Sequence, residues 1–128
     1  MKHLRLLCIL SVMFCGIANA ATIHATGVPV SACAPALAII NKLDYPGDWK
    51  VMVVGEKLWK DGHFASELAV TDRAKHVTLI RAQAFTDLHF TGRYITPRHV
   101  LAHELGHIVC DCNDEWKAEQ YAATYDRD

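Results

Sequence analysis

The sequence predicts a small α+β domain, on three observations. Trp49–Val54 is a run of aromatic and β-branched residues of strand length. Ala65–Thr71 and His76–Arg81 read as a hairpin across Asp72-Arg73-Ala74-Lys75. Helical apolar spacing precedes these strands at Ser31–Leu43 and follows them from Thr96 onward. The expected order is an N-terminal helix, a short mixed sheet and then two helices packed as an antiparallel hairpin. There are no internal repeats and no low-complexity tracts.

Residues 1–20 read as a separate object. Met1-Lys2-His3-Leu4-Arg5 is a short basic start, an apolar run continues to about Ile17, and Ala18-Asn19-Ala20 places small residues where signal peptidase reads them. The run is shorter than the roughly 18 apolar residues a membrane span needs, and Phe14 before Cys15 is too bulky for a lipoprotein signal. Cleavage after Ala20 is expected, which leaves residues 21–128 as one domain, exported to a periplasm or the exterior and not membrane-bound. Removing Lys2 and Arg5 leaves eleven basic against fourteen acidic side chains, a net charge of minus three. No basic cluster is present to track a phosphate backbone, so nucleic-acid binding is not expected. The remaining cysteines are Cys33, Cys110 and Cys112. In an oxidising compartment Cys33 is expected to pair with Cys110 or Cys112 and tie the first helix to the end of the helix that opens at Thr96.

Each element has its own signal. Ala21–Val30, with Gly27 and Pro29, reads as a loose arm or a short edge strand. In Ser31–Leu43, Pro35 suits the first turn and Leu37 and Ile40 form a stripe, stopped by Asp44-Tyr45-Pro46-Gly47. Trp49–Val54 is apolar on both faces apart from Lys50, as in a strand covered on both sides. Glu56–Gly62 fits a helical turn or a loop, and Ala82–Tyr94 is irregular. Thr96-Pro97 then supplies an N-cap and a first-position proline, with Ile95 and Val100 placed to pack as a hydrophobic staple. Gly106 inside this helix costs about 1 kcal/mol of propensity relative to alanine, which points to a close neighbour there. Glu115–Tyr125 is the last helix, with Ala118, Ala122 and Ala123 on a small-residue face.

The chemistry is concentrated in His103-Glu104-Leu105-Gly106-His107. Histidines four apart on a helix project from one face, so two imidazoles can reach one metal ion, with the glutamate beside them able to hold a water. A histidine six residues on would complete another known pattern, but that residue is Asn113. A hairpin turning near Asp111 instead sets His107 opposite Glu115 and His103 opposite Glu119, and these two glutamates are themselves four apart. Either carboxylate is then a candidate third ligand, with Asp111 and Asp114 as weaker ones.

Glu115-Trp116-Lys117-Ala118-Glu119-Gln120-Tyr121-Ala122 resembles the Glu-x-x-Ala-Asp-x-Phe-Ala segment that follows His-Glu-x-x-His in gluzincin-type zinc metallopeptidases, including the thermolysin, prenyl-protease and ImmA/IrrE-like groups. The resemblance covers Thr96 to Ala122 in detail. It implies a zincin-like fold, Zn2+ bound by His103, His107 and Glu115, and Glu119 bracing His103. Two departures stand out. The seven-residue spacer between His107 and Glu115 is short, and Glu119 occupies a position where aspartate is usual, which leaves Glu119 open as a ligand.

The expected function is therefore hydrolysis of a peptide or protein substrate, with Glu104 as general base and a strand within Ala65–Thr71 holding the substrate extended. Tyr94, His99, Tyr121 and Tyr125 are available by type to stabilise an oxyanion, with Tyr121 assigned to the core. The alternative is a non-catalytic zinc-binding or interaction module that has kept the same ligands.

Overall fold

The computed structural model describes residues 12–62, 64, 67–86 and 96–125. Its elements are β1 (Val12–Ala18), β2 (Ala21–Thr26), α1 (Ala34–Ile40), β3 (Lys50–Val54), α2 (Glu56–Asp61), β4 (Ala69–Asp72), β5 (Val77–Arg81), α3 (Pro97–Cys110) and α4 (Glu115–Tyr125), with short 3-10 turns at Val30–Cys33 and Ala82–Phe85. The fold is α+β, as expected. The five strands form one mixed sheet in the order β1-β2-β3-β5-β4, with β2, β3 and β5 parallel and the two outer strands antiparallel.

Alternation along the strands divides the core between the two faces of the sheet. Ile23, Ala25, Val51, Val53 and Ile80 are buried with Ile40 of α1, Val100, Leu101 and Leu105 of α3 and Ala122 of α4. On the opposite face Val54 and Leu79 pack with Trp59 of α2 and with Phe64. That two-sided cover explains the apolar reading of β3 on both faces. The undecided Glu56–Gly62 stretch folds as helix α2 because Trp59 must be buried. The Trp59 indole donates to the carbonyls of Phe64 (2.8 Å) and Glu67 (3.1 Å), which fixes the chain where it enters β4.

The hairpin strand is shorter and later than the sequence indicates, Ala69–Asp72 rather than Ala65–Thr71, and its register pairs Thr71 with Thr78. Ala21–Thr26 is a regular strand lying between β1 and β3. The first helix is shorter than Ser31–Leu43, its leading turn being 3-10. Ile95 and Tyr94 lie outside the described residues, and with them the expected staple.

Val12–Ala18 falls within the segment expected to be cleaved, and in the full chain it forms the outer strand β1. Asn19 in the β1–β2 turn donates to the carbonyls of Ile40, Asn41 and Leu43, while Met13, Phe14 and Ile17 are left exposed. Cleavage after Ala20 would cut this turn, make β2 the edge of the sheet and leave Cys33 without Cys15.

The expected bridge from Cys33 to Cys110 or Cys112 is not formed, which corrects the sequence reading. Cys33 is bonded to Cys15, and Cys110 to Cys112. The cause is local geometry. Asp111 is left-handed (φ 49°) and folds the chain back, bringing the Cα atoms of Cys110 and Cys112 to 5.2 Å, within bonding range. Cys33 meanwhile lies against β1.

Candidate metal centre

Helix α3 carries the histidines and is well started. The Thr96 hydroxyl accepts from the His99 backbone N–H at 3.1 Å, and Pro97 fills the first helical position. The helix stops at Asp111, an aspartate in the left-handed conformation that such residues tolerate, and the Cys112 N–H returns to the His107 carbonyl at 3.3 Å. Asp114 then opens α4 by accepting from the Lys117 N–H at 3.1 Å. Asp111 pairs with Arg73 across from the β4–β5 turn. The two weaker ligand candidates thus serve as a helix cap and an ion-pair partner.

The hairpin brings the predicted residues together. Glu115 lies 2.8 Å from His103 Nε2 and 3.1 Å from His107 Nε2, and one ligand atom from each of the three lies within 4.8 Å of the others. Glu119 approaches the opposite nitrogen of His103, Nδ1, at 2.6 Å, and also accepts from His99 Nε2 at 3.0 Å. Of the two open candidates, Glu115 therefore belongs to the converging group and Glu119 stands behind His103. The His107 Nδ1–H donates to the Cys112 carbonyl at 3.0 Å.

Those outer bonds assign the tautomers. A carbonyl can only accept, so His107 carries its proton on Nδ1 and leaves a lone pair on Nε2. His103 has a carboxylate on each nitrogen, Glu119 at 2.6 Å from Nδ1 and Glu115 at 2.8 Å from Nε2, and with its proton on Nδ1 the lone pair is likewise on Nε2. Both Nε2 lone pairs then face the Glu115 carboxylate. Three ligand atoms converging in this way could hold one metal ion. Two imidazoles and one carboxylate are ligand types shared by several divalent transition metals.

Glu104 sits beside this group and is 7% exposed. Its Oε1 accepts from the Thr71 hydroxyl at 2.9 Å, and its Oε2 is 4.0 Å from His103 Nε2. Burial pushes its carboxyl above the usual range, opposed by the Thr71 hydrogen bond and by His103 and His107. The whole group opens into a cleft of about 410 Å³, whose far wall is β4 through Ala69, Val70 and Thr71. Among the described residues β4 pairs only with β5, and none pairs with its other edge.

The sequence did not single out Thr71 as a partner of Glu104, or Arg73 as the side chain joining the β4–β5 turn to Asp111 and Asn113. Two threonines in facing strands were the available signal for the first. Among the described residues no tyrosine lines the cleft. Tyr121 packs against the core and bonds to Tyr125 at 3.2 Å, and His99 is engaged with Glu119.

Comparison with known protein families, curated proteins and solved structures finds no match to this chain.

Proposed function

We propose that the protein is an exported zinc-dependent metallopeptidase of gluzincin type. The observation that carries the reading is the convergence of His103, His107 and Glu115 with the buried Glu104 carboxylate at the floor of an open cleft. Zinc, when bound there, would supply Lewis acidity, making water a nucleophile near neutral pH and polarising a peptide carbonyl. His103 and His107 would hold it through Nε2, their tautomers set by Glu119 and by the Cys112 carbonyl. Glu115 would complete the protein ligands, leaving one position open, the mark of a catalytic rather than a structural centre.

The chain's own residues do the rest. Glu104 takes the proton of the attacking water and returns it to the leaving amine. Its Oε2, the oxygen that Thr71 does not hold, faces the reacting side. The edge of β4 away from β5 offers backbone N–H and C=O groups to an extended peptide, which would add to the sheet beside the metal centre. A peptide or protein substrate fits that edge.

Glu104→Gln tests the assignment, because glutamine keeps the shape and removes the base. Hydrolysis of an unstructured protein should fall by at least about 100-fold with zinc content unchanged. Equal activity in wild type and variant would contradict the role of Glu104. Zinc retained with no cleavage by either protein would favour the binding module.

A further inference from the structure

Glu104 does not stand alone on the floor of the cleft. Behind it runs a chain of three hydrogen bonds into the sheet. The Trp49 indole Nε1–H reaches Thr78 Oγ1 at 3.0 Å, Thr78 Oγ1 lies 2.9 Å from Thr71 Oγ1, and Thr71 reaches Glu104 Oε1 at 2.9 Å. Thr71 and Thr78 are cross-strand partners in β4 and β5, on the sheet face that receives α3. Thr78 is fully buried and Trp49 nearly so.

The direction of this chain is set at its two ends. An indole nitrogen can only donate, and a carboxylate can only accept. Thr71 therefore gives its proton to Glu104, and the Thr78 oxygen takes that of Trp49, with the two threonine hydroxyls 2.9 Å apart between them. The Tyr45 hydroxyl donates to the Leu101 carbonyl at 2.6 Å, and its oxygen, bonded to Thr78, is a second acceptor for the Thr78 proton beside Thr71. A hydroxyl donating to a carboxylate makes a charge-assisted bond, stronger than one between neutral groups.

The consequence concerns where Glu104 can go. Its Oε2 is 4.0 Å from His103 Nε2, close enough for a small side-chain rotation to bring the carboxylate into the group formed by His103, His107 and Glu115. A fourth protein ligand would close the centre, and a closed four-ligand site is structural rather than catalytic. We propose that Thr71, backed by Thr78 and Trp49, is a positioning residue that holds Glu104 off the metal and so keeps the fourth coordination position open. This rests on the metallopeptidase reading for its catalytic meaning, though not for its geometry.

Co2+ replacing zinc provides a readout independent of turnover. Thr71→Val keeps the shape of the strand residue and removes the hydroxyl. It should bind Co2+ at least about tenfold more tightly and shift the visible Co2+ absorption, since Glu104 joins the ligands. Thr71→Ser should restore the wild-type spectrum, and in the Glu104→Ala background Thr71→Val should change neither affinity nor spectrum. Where cleavage is measurable, Thr71→Val should lower kcat with KM little changed. Identical Co2+ affinity and spectrum in wild type and Thr71→Val would overturn the proposal. A spectral shift without cleavage by any variant would uphold the positioning role and remove the peptidase reading. No Co2+ bound by the wild type would remove both. Should Thr71→Val fail to fold, Thr71→Ala, which also removes the hydroxyl, is read in the same way.

Discussion

His103 and His107 of α3 are each defined by the nitrogen not turned to the cleft. His103 Nδ1 is taken by Glu119 and His107 Nδ1 by the Cys112 carbonyl, so both present Nε2 to Glu115. The two glutamates of α4 are equivalent by spacing and differ in place. Glu115, in the first turn, lies at the mouth of the cleft with its side chain 74% exposed, whereas Glu119 is one turn further along, between His99 and His103. Their substitutions should separate accordingly. Glu115→Ala should abolish stoichiometric zinc binding, whereas Glu119→Gln should keep one zinc per chain at an affinity about 10–100-fold lower, both read by competition with a chromogenic chelator. Loss of zinc in Glu119→Gln with retention in Glu115→Ala would reverse the roles.

The α3–α4 hairpin is the element on which the centre depends, and Gly106 sets how closely its helices pack. A Cβ built at Gly106 would lie 2.8 Å from Ala118 Cα and 2.9 Å from its carbonyl oxygen. Backbone cannot swing aside as a side chain can. Gly106→Ala would gain about 1 kcal/mol of helix propensity and lose about 1–3 kcal/mol to overpacking. The expected result is a melting temperature several degrees lower, since about 1 kcal/mol shifts a domain of this size by about 4–8 °C. An unchanged or higher melting temperature would show that the helices part at no cost. This hairpin was the most legible part of the chain. Thr96, Pro97, the four-residue spacing of the histidines and a turn near Asp111 suffice to place His107 against Glu115 and His103 against Glu119. Thr71 was less legible, because its contact with Glu104 depends on hairpin register, and a turn placed one residue early pairs it with His76 instead of Thr78. The cysteine pairing was not legible, because it depends on the left-handed turn at Asp111 and on β1.

At the scale of the molecule, the sheet supplies two things the hairpin lacks. It gives α3 a buried floor through Val51, Val53 and Ile80, and it places β4, the last strand among the described residues, along the cleft. The α+β class and the closing pair of packed helices were readable from periodicity, whereas two strands, β1 and β2, precede the first helix and α2 lies between β3 and β4. The place of Val12–Ala18 in the sheet was not, because its residues belong to an apolar run that reads as a leader. Among the described residues no helix is long and apolar enough to cross a membrane. Everything argued for the cleft depends on a metal ion occupying the space between His103, His107 and Glu115. The most direct measurement is therefore the metal content of the purified protein by elemental analysis. The account predicts close to one zinc per chain, lost when His103 or His107 is replaced by alanine. Protein that is folded and free of bound metal after growth and purification with zinc supplied would contradict it.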